Sequence, residues 1–171
     1  KEKSIDICIK GFKHLIDEKN IKVKFLIVGD GPELNELKKL VHDMELDKYV
    51  IFAGSVMANE VPLYYRLANL FVSASITETQ GLTFMEAMAS SIPILARFDE
   101  NLVDVVTDNE TGFYFSDELD FAKQIKKIMK LDNKQKEKIL INAMNICNQY
   151  SLDKFYDNIM EVYTRALRKY W

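Results

Sequence analysis

Glu78 and Glu86 stand on either side of Gly81, and these three residues form the strongest chemical pattern in the chain. Gly81 precedes Leu82-Thr83-Phe84-Met85-Glu86-Ala87-Met88-Ala89, a run of mostly good helix formers. It therefore sits at the mouth of a predicted helix. Backbone N–H groups at a helix start lack intrahelical partners, and the helix dipole adds partial positive charge. A phosphate group fits such a mouth. Carboxylates do not hold phosphate, but they accept hydrogen bonds from sugar hydroxyls. One anion-binding mouth with an acid on each side suits a nucleotide sugar: diphosphate in the middle, hydroxyls on either side. Solvated glutamates near a helix end give the same pattern, and residue chemistry alone leaves the two readings level.

That mouth needs strands to position it. An apolar run at residues 70–73 leads in, and another at residues 92–96 follows the helix, so the stretch reads as a βαβ unit. Upstream, residues 23–28 form an apolar run typical of a strand covered on both faces. Gly29-Asp30-Gly31-Pro32 stops it. Pro32 and the acid Glu33 both favour a helix start, and Leu34, Leu37, Val41 and Met44 mark that helix. Residues 49–52 predict a strand ended by Ala53-Gly54, residues 60–67 a short helix, residues 101–107 another short helix, and Phe113–Phe115 a last strand. Before all of these, Ile5, Ile9, Phe12, Leu15 and Ile16 predict an amphipathic helix over 4–19 with Ser4 as N-cap. Helices over 119–129, 134–149 and 152–170 end the chain.

The fold class is therefore α/β: a Rossmann-like parallel sheet with helices on both faces, followed by C-terminal helices. Right-handed crossovers put the loops at 29–32, 54–57, 74–81 and 97–101 on one edge, where a ligand is expected. Gly29-Asp30-Gly31-Pro32 lacks the glycine spacing of a dinucleotide fingerprint, so a tight strand-to-helix turn is favoured over a phosphate loop there.

At 171 residues the chain is one domain, or at most one domain with an appendage. Its net charge of -3 argues against nucleic acid, whose phosphates need a basic face. No apolar run is long enough to span a membrane, and no secretory signal opens the chain. Cys8 and Cys147 make no metal spacing and read as reduced core thiols of a cytoplasmic protein. His14 and His42 read as surface helix residues. The chain starts at Lys1 and enters a helical pattern at once, as a piece of something longer would.

The stretch Glu78-Thr79-Gln80-Gly81-Leu82-Thr83-Phe84-Met85-Glu86 resembles the Glu-x7-Glu motif of retaining glycosyltransferases of family 4, followed by Ala87-Met88-Ala89 and Pro93-Ile94-Leu95-Ala96. Val28-Gly29-Asp30-Gly31-Pro32, Val50-Ile51-Phe52-Ala53-Gly54 and the NETGF stretch at 109–113 match in the same order. The resemblance covers essentially the whole chain, residues 1–171, and implies the C-terminal, donor-binding domain of a GT-B enzyme. By that resemblance Glu86 meets the ribose hydroxyls of a UDP-sugar, and Glu78 the hydroxyls of the donor sugar. Amides at Gly81, Leu82 and Thr83 hold sugar and diphosphate, and Lys3 meets the diphosphate as counter-charge. Gly29 and Gly31 join the donor-binding positions, and Ser55, Val56 and Met57 lie near the uracil. No cofactor and no metal are implied, and the anomeric configuration is retained. The acceptor domain and one central strand are expected upstream of Lys1, leaving a slot between strands 23–28 and 70–73 that invites pairing. The chain alone is expected to bind donor weakly and turn nothing over.

Two details narrow the acceptor. Thr79-Gln80-Gly81-Leu82 replaces the family's usual Phe-Gly-Leu, and Arg97-Phe98-Asp99-Glu100-Asn101-Leu102 replaces a Gly-Gly loop. Both resemble bacterial diacylglycerol glucosyltransferases, which implies glucose transfer from UDP-glucose to a lipid. A polysaccharide or small-molecule acceptor is the first alternative. A nucleotide-sugar epimerase or non-catalytic nucleotide-binding module is the second, disfavoured because bare binding needs only the ribose acid. Phe155, Ile159, Tyr163, Ala166, Leu167 and Tyr170 trace an apolar stripe on the last helix, residues 151–171, near Arg165, Arg168 and Lys169. The stripe is expected to pack on this domain or toward the upstream one. Peripheral contact with the inner face of a membrane is the lesser reading, since the chain is mildly acidic.

Overall fold

The structure is a computed structural model that describes residues 3–18, 21–75 and 81–170; Glu78 therefore lies outside the described residues. Helix α1 (Ile5–Ile16) buries Cys8, Ile9, Phe12 and Leu15 along one face. Ser4 holds the cap position with left-handed backbone, φ 44°, instead of the extended geometry of a capping side chain. Strand β1 (Phe25–Val28) is shorter than the predicted 23–28 because its pairing with β2 (Val50–Gly54) begins at Phe25 opposite Val50. β2 runs through Ala53 and Gly54, where the sequence predicts its end. The register shifts between Ile27 and Val28, so that Val28 meets Gly54, whose φ of 72° suits a glycine.

Helix α2 (Leu34–Asp43) connects the two strands, and α3 (Val61–Leu67) follows them. The predicted βαβ unit follows as β3 (Phe71–Ser73), α4 (Leu82–Ala89) and β4 (Ile94–Arg97), all close to expectation. The predicted helix over 101–107 reduces to a 3-10 turn at Glu100–Leu102, where Asp99 Oδ1 accepts the Asn101 N–H at 3.0 Å. The β-branched Val103, Val105, Val106 and Thr107 disfavour a longer helix. Strand β5 (Phe113–Phe115) and helices α5 (Glu118–Met129), α6 (Asn133–Gln149) and α7 (Leu152–Tyr170) complete the chain. Asp132 and Gln135 form a reciprocal capping box at the start of α6.

All strand pairs are parallel, but they form two sheets, β1-β2 and β3-β4-β5. Among the described residues no strand pairs with the outer edge of β1 or of β3. The described strands are therefore split between two sheets. Helix α1 bridges them. Ile9, Phe12 and Leu15 share one core cluster with Ile27 and Val50 of the first sheet, Leu95, Phe113 and Phe115 of the second, and Phe121 of α5. The other face of β4 enters a second cluster, in which Ile94 and Ala96 pack with Phe84, Ala87 and Met88 of α4 and Ala143 of α6. The alternation Ile94, Leu95, Ala96 thus covers both faces of the strand, as its period of two requires.

Helix α7 departs from expectation. Every residue from Leu152 to Lys169 is exposed, Leu152 at 85% and Tyr163 at 62%. Its apolar stripe does not pack on the described part of this domain. No helix among the described residues is long and apolar enough to cross a membrane.

Candidate functional site

The helix mouth is built by Gly81, whose φ of 60° places it in the left-handed region. A Cβ there would lie 3.7 Å from Phe84 Cδ2 and 3.9 Å from Leu102 Cδ2, which are ordinary contacts. Conformation, not space, therefore selects glycine. The Phe84 and Met85 N–H groups donate to the Gly81 carbonyl at 2.9 and 3.1 Å. The amides of Leu82 and Thr83, ahead of them, have no acceptor among the described residues and face no side-chain cap.

Phe84, Ala87 and Met88 bury one face of α4. Thr83 and Glu86, three apart, share the exposed face. The phenol of Tyr65, on α3, donates to Glu86 Oε2 at 2.9 Å and lies 3.2 Å from the Thr83 carbonyl. Burial, and then the hydrogen bond and charge of Glu86, push this phenol above its ordinary value, so it keeps its proton and acts as a donor. The ring is anchored in an aromatic row: Tyr65 to Phe71 at 5.7 Å, then Phe71 edge-on to Phe84 at 5.5 Å.

Lys3 Nζ donates to Ser75 Oγ at 3.5 Å. Ser75 is buried just past β3, so the start of α1 is tied to the carboxyl end of that strand. The Gly29 N–H donates to the Gly54 carbonyl at 2.8 Å and joins the turns that follow β1 and β2. The Gly31 N–H donates to Asp30 Oδ1 at 2.7 Å, so this amide is used within its own turn, as a tight strand-to-helix turn requires. Ser55 and Met57 are exposed and Val56 is half-buried; the Met57 N–H donates to Glu60 Oε2 at 3.3 Å. The structure thus brings Gly81, Leu82, Thr83 and Glu86 together on α4 and sets Lys3 beside Ser75. Among the described residues no hydrogen bond or ion pair joins the turns at 29–31 and 55–57 to α4; they follow strands of the other sheet.

Tyr65 is the site residue that sequence reasoning passes over. Only the packing of α3 beside α4 reveals it, since Tyr64-Tyr65 in a short helix carries no spacing signal toward Glu86. Asp99, in the loop after β4, keeps a buried Oδ2 without a hydrogen-bond partner. Among the described residues no group of three or more His, Cys, Asp or Glu is placed to hold a metal. Cys8 and Cys147 are free thiols, Cys8 buried and Cys147 half-buried. Burial, with a smaller push from Asp6 and a pull from Arg97, raises the Cys8 thiol to about 12.

The fold is a Rossmann-like α/β arrangement with its candidate site where strand β3 hands over to helix α4. The chain belongs to the glycosyl transferases group 1 family, whose model matches residues 1–145. It is 39% identical over 121 residues to the alpha-monoglucosyldiacylglycerol synthase of Streptococcus pneumoniae, covering 71% of this chain and 27% of that protein. The alpha-monoglucosyldiacylglycerol synthase of Acholeplasma laidlawii is 38% identical over 125 residues, covering 73% of this chain and 31% of that one. A pneumococcal O-GlcNAc transferase, solved in complex with UDP and GlcNAc, superposes with a TM-score of 0.82 over 97% of this chain and 34% of its own, at 19% identity. That likeness is one of fold. The chain spans less than a third of the length of the two curated relatives, 27% and 31%.

Proposed function

We propose that this chain is the donor-binding part of a longer retaining glycosyltransferase that moves glucose from UDP-glucose to a lipid acceptor such as diacylglycerol. The observation that carries the reading is the first turn of α4. Open amides at Leu82 and Thr83 follow a left-handed Gly81, and the Glu86 carboxylate is held on the same helix. The diphosphate sits on those amides, with Lys3 as its counter-charge. Glu86 accepts hydrogen bonds from the ribose hydroxyls, and Glu78 from the transferred sugar. The uracil lies by Ser55, Val56 and Met57, and Gly29 and Gly31 join the donor-binding positions.

Transfer breaks the bond between the anomeric carbon and the diphosphate, and negative charge grows on the departing UDP. N–H dipoles at the first turn of α4 and the Lys3 ammonium oppose that charge as it develops. The chain's own groups are assigned this task and no metal ion is assigned one. The lipid acceptor is supported by the names of the two relatives above and by the loop at Arg97–Leu102. The same reading gives a use to two unfilled surfaces. A strand from the rest of the protein fits between β1 and β3, and the apolar face of α7 packs against that other part. The protein works in the cytoplasm, at the inner membrane face where a soluble donor and a lipid acceptor meet.

The test uses the full-length protein. Titration calorimetry should show UDP and UDP-glucose binding in preference to UDP-N-acetylglucosamine and GDP-mannose. Glu86→Gln should weaken UDP binding by about 1–3 kcal/mol, the scale of a charge-assisted hydrogen bond. Unchanged affinity removes Glu86 from the ribose. Labelled glucose should appear on diacylglycerol in vesicles; transfer only to water-soluble acceptors replaces the lipid, and UDP binding without any transfer favours a binding module.

A further inference from the structure

We infer that Tyr65 is a positioning residue for the nucleoside: it locks the Glu86 carboxylate so that one oxygen is always presented to the ribose diol. The inference rests on the reading of Glu86 given above. A glutamate on an exposed helix face is a flexible side chain, and ordering it on ligand binding costs rotamer freedom. Here the ordering is done before the ligand arrives. Tyr65 donates to Glu86 Oε2 at 2.9 Å. A phenol has one hydrogen, and the carboxylate oxygen is nearer than the Thr83 carbonyl at 3.2 Å, so the charged acceptor takes it. Oε1 of Glu86 is left for a hydroxyl pair from the ligand.

The lock is itself held rigidly. The Tyr65 ring rests on Phe71, and Phe71 meets Phe84 edge-on at 5.5 Å; Phe84 is fully buried on α4 itself. The phenol therefore reaches the carboxylate from a ring whose place is set by the same helix that carries Glu86. Proximity to the Thr83 carbonyl fixes the phenol along that helix as well, one residue after the first open amide. The diphosphate mouth and the ribose acid are thus set at a constant separation, as two-point recognition of a nucleoside diphosphate requires.

The experiment compares UDP with 2′,3′-dideoxyuridine diphosphate, which lacks the ribose hydroxyls, as ligands of the full-length protein. Wild type should prefer UDP. Tyr65→Phe should shrink that preference about three- to tenfold, the range of one lost hydrogen bond. The loss should fall on UDP and leave the dideoxy ligand unchanged. The KM for UDP-glucose should rise with little change in kcat. Added to Glu86→Gln, Tyr65→Phe should have no further effect on the preference. If Glu86→Gln itself leaves the preference intact, the assignment of Glu86 to the ribose falls. If Glu86→Gln abolishes it and Tyr65→Phe does not reduce it, the role of Tyr65 is overturned while that of Glu86 stands. Equal weakening of both ligands by Tyr65→Phe marks a purely structural tyrosine and also overturns the inference.

Discussion

Gly11→Ala separates local from tertiary energetics in this protein. Gly11 lies inside α1 and is buried. By helix propensity alone, alanine there should stabilise by about 0.8–1.0 kcal/mol. The structure reverses the sign. A Cβ at position 11 would lie 2.6 Å from Phe121 Cδ1, 2.9 Å from Phe121 Cβ and 2.8 Å from the Glu118 carbonyl oxygen. The carbonyl belongs to the first turn of α5 and cannot rotate away. The Phe121 ring is 1% exposed and stacked edge-on against Phe115 at 5.1 Å, so it has no empty space to enter. Alanine must push α1 off α5. Overpacking of this kind costs about 1–3 kcal/mol, and contacts to fixed atoms put this site toward the upper end. After the propensity gain, the net loss is about 1–2 kcal/mol. For a domain of this size that lowers Tm by about 2–8 °C. Urea unfolding followed by far-UV circular dichroism reads the difference directly. A Gly11→Ala protein as stable as wild type, or more so, would refute the close approach of α1 and α5.

Two further outcomes follow, one from the burial of Cys8 and one from the proposed covering of α7. The Cys8 thiol is raised from an ordinary 9.0 to about 12, so above pH 9 the unfolded chain ionises while the folded one does not. Stability is intact below pH 9 and falls between 9 and 12 by up to about 1.4 kcal/mol per pH unit; Cys8→Ala should flatten that slope in urea titrations, and equal slopes in both proteins would sink the assignment. Val162→Cys on α7, in a Cys147→Ser background of the full-length protein, should react slowly with a maleimide without any lipid present. Fast labelling that slows only when anionic vesicles are added would assign the apolar face of α7 to a membrane instead.

Much of this protein is legible along the chain. The spacing of Ile5, Ile9, Phe12 and Leu15 sets the buried face of α1, and the order of apolar runs sets the parallel β-α-β arrangement. Gly81 ahead of helix formers marks the mouth of α4. These features depend on neighbours within a turn or two of helix, or on alternation along a strand, so a one-dimensional pattern contains them. Only the tertiary structure decides the rest. It carries β2 through Gly54 because of a register shift. It divides the strands into two sheets joined by α1, leaves the apolar stripe of α7 uncovered, and reverses the sign of alanine at Gly11. It also brings the Tyr65 phenol from α3 to the Glu86 carboxylate on α4. Each of these depends on which surfaces meet across long stretches of sequence, and the free energy of such meetings is absent from any local window.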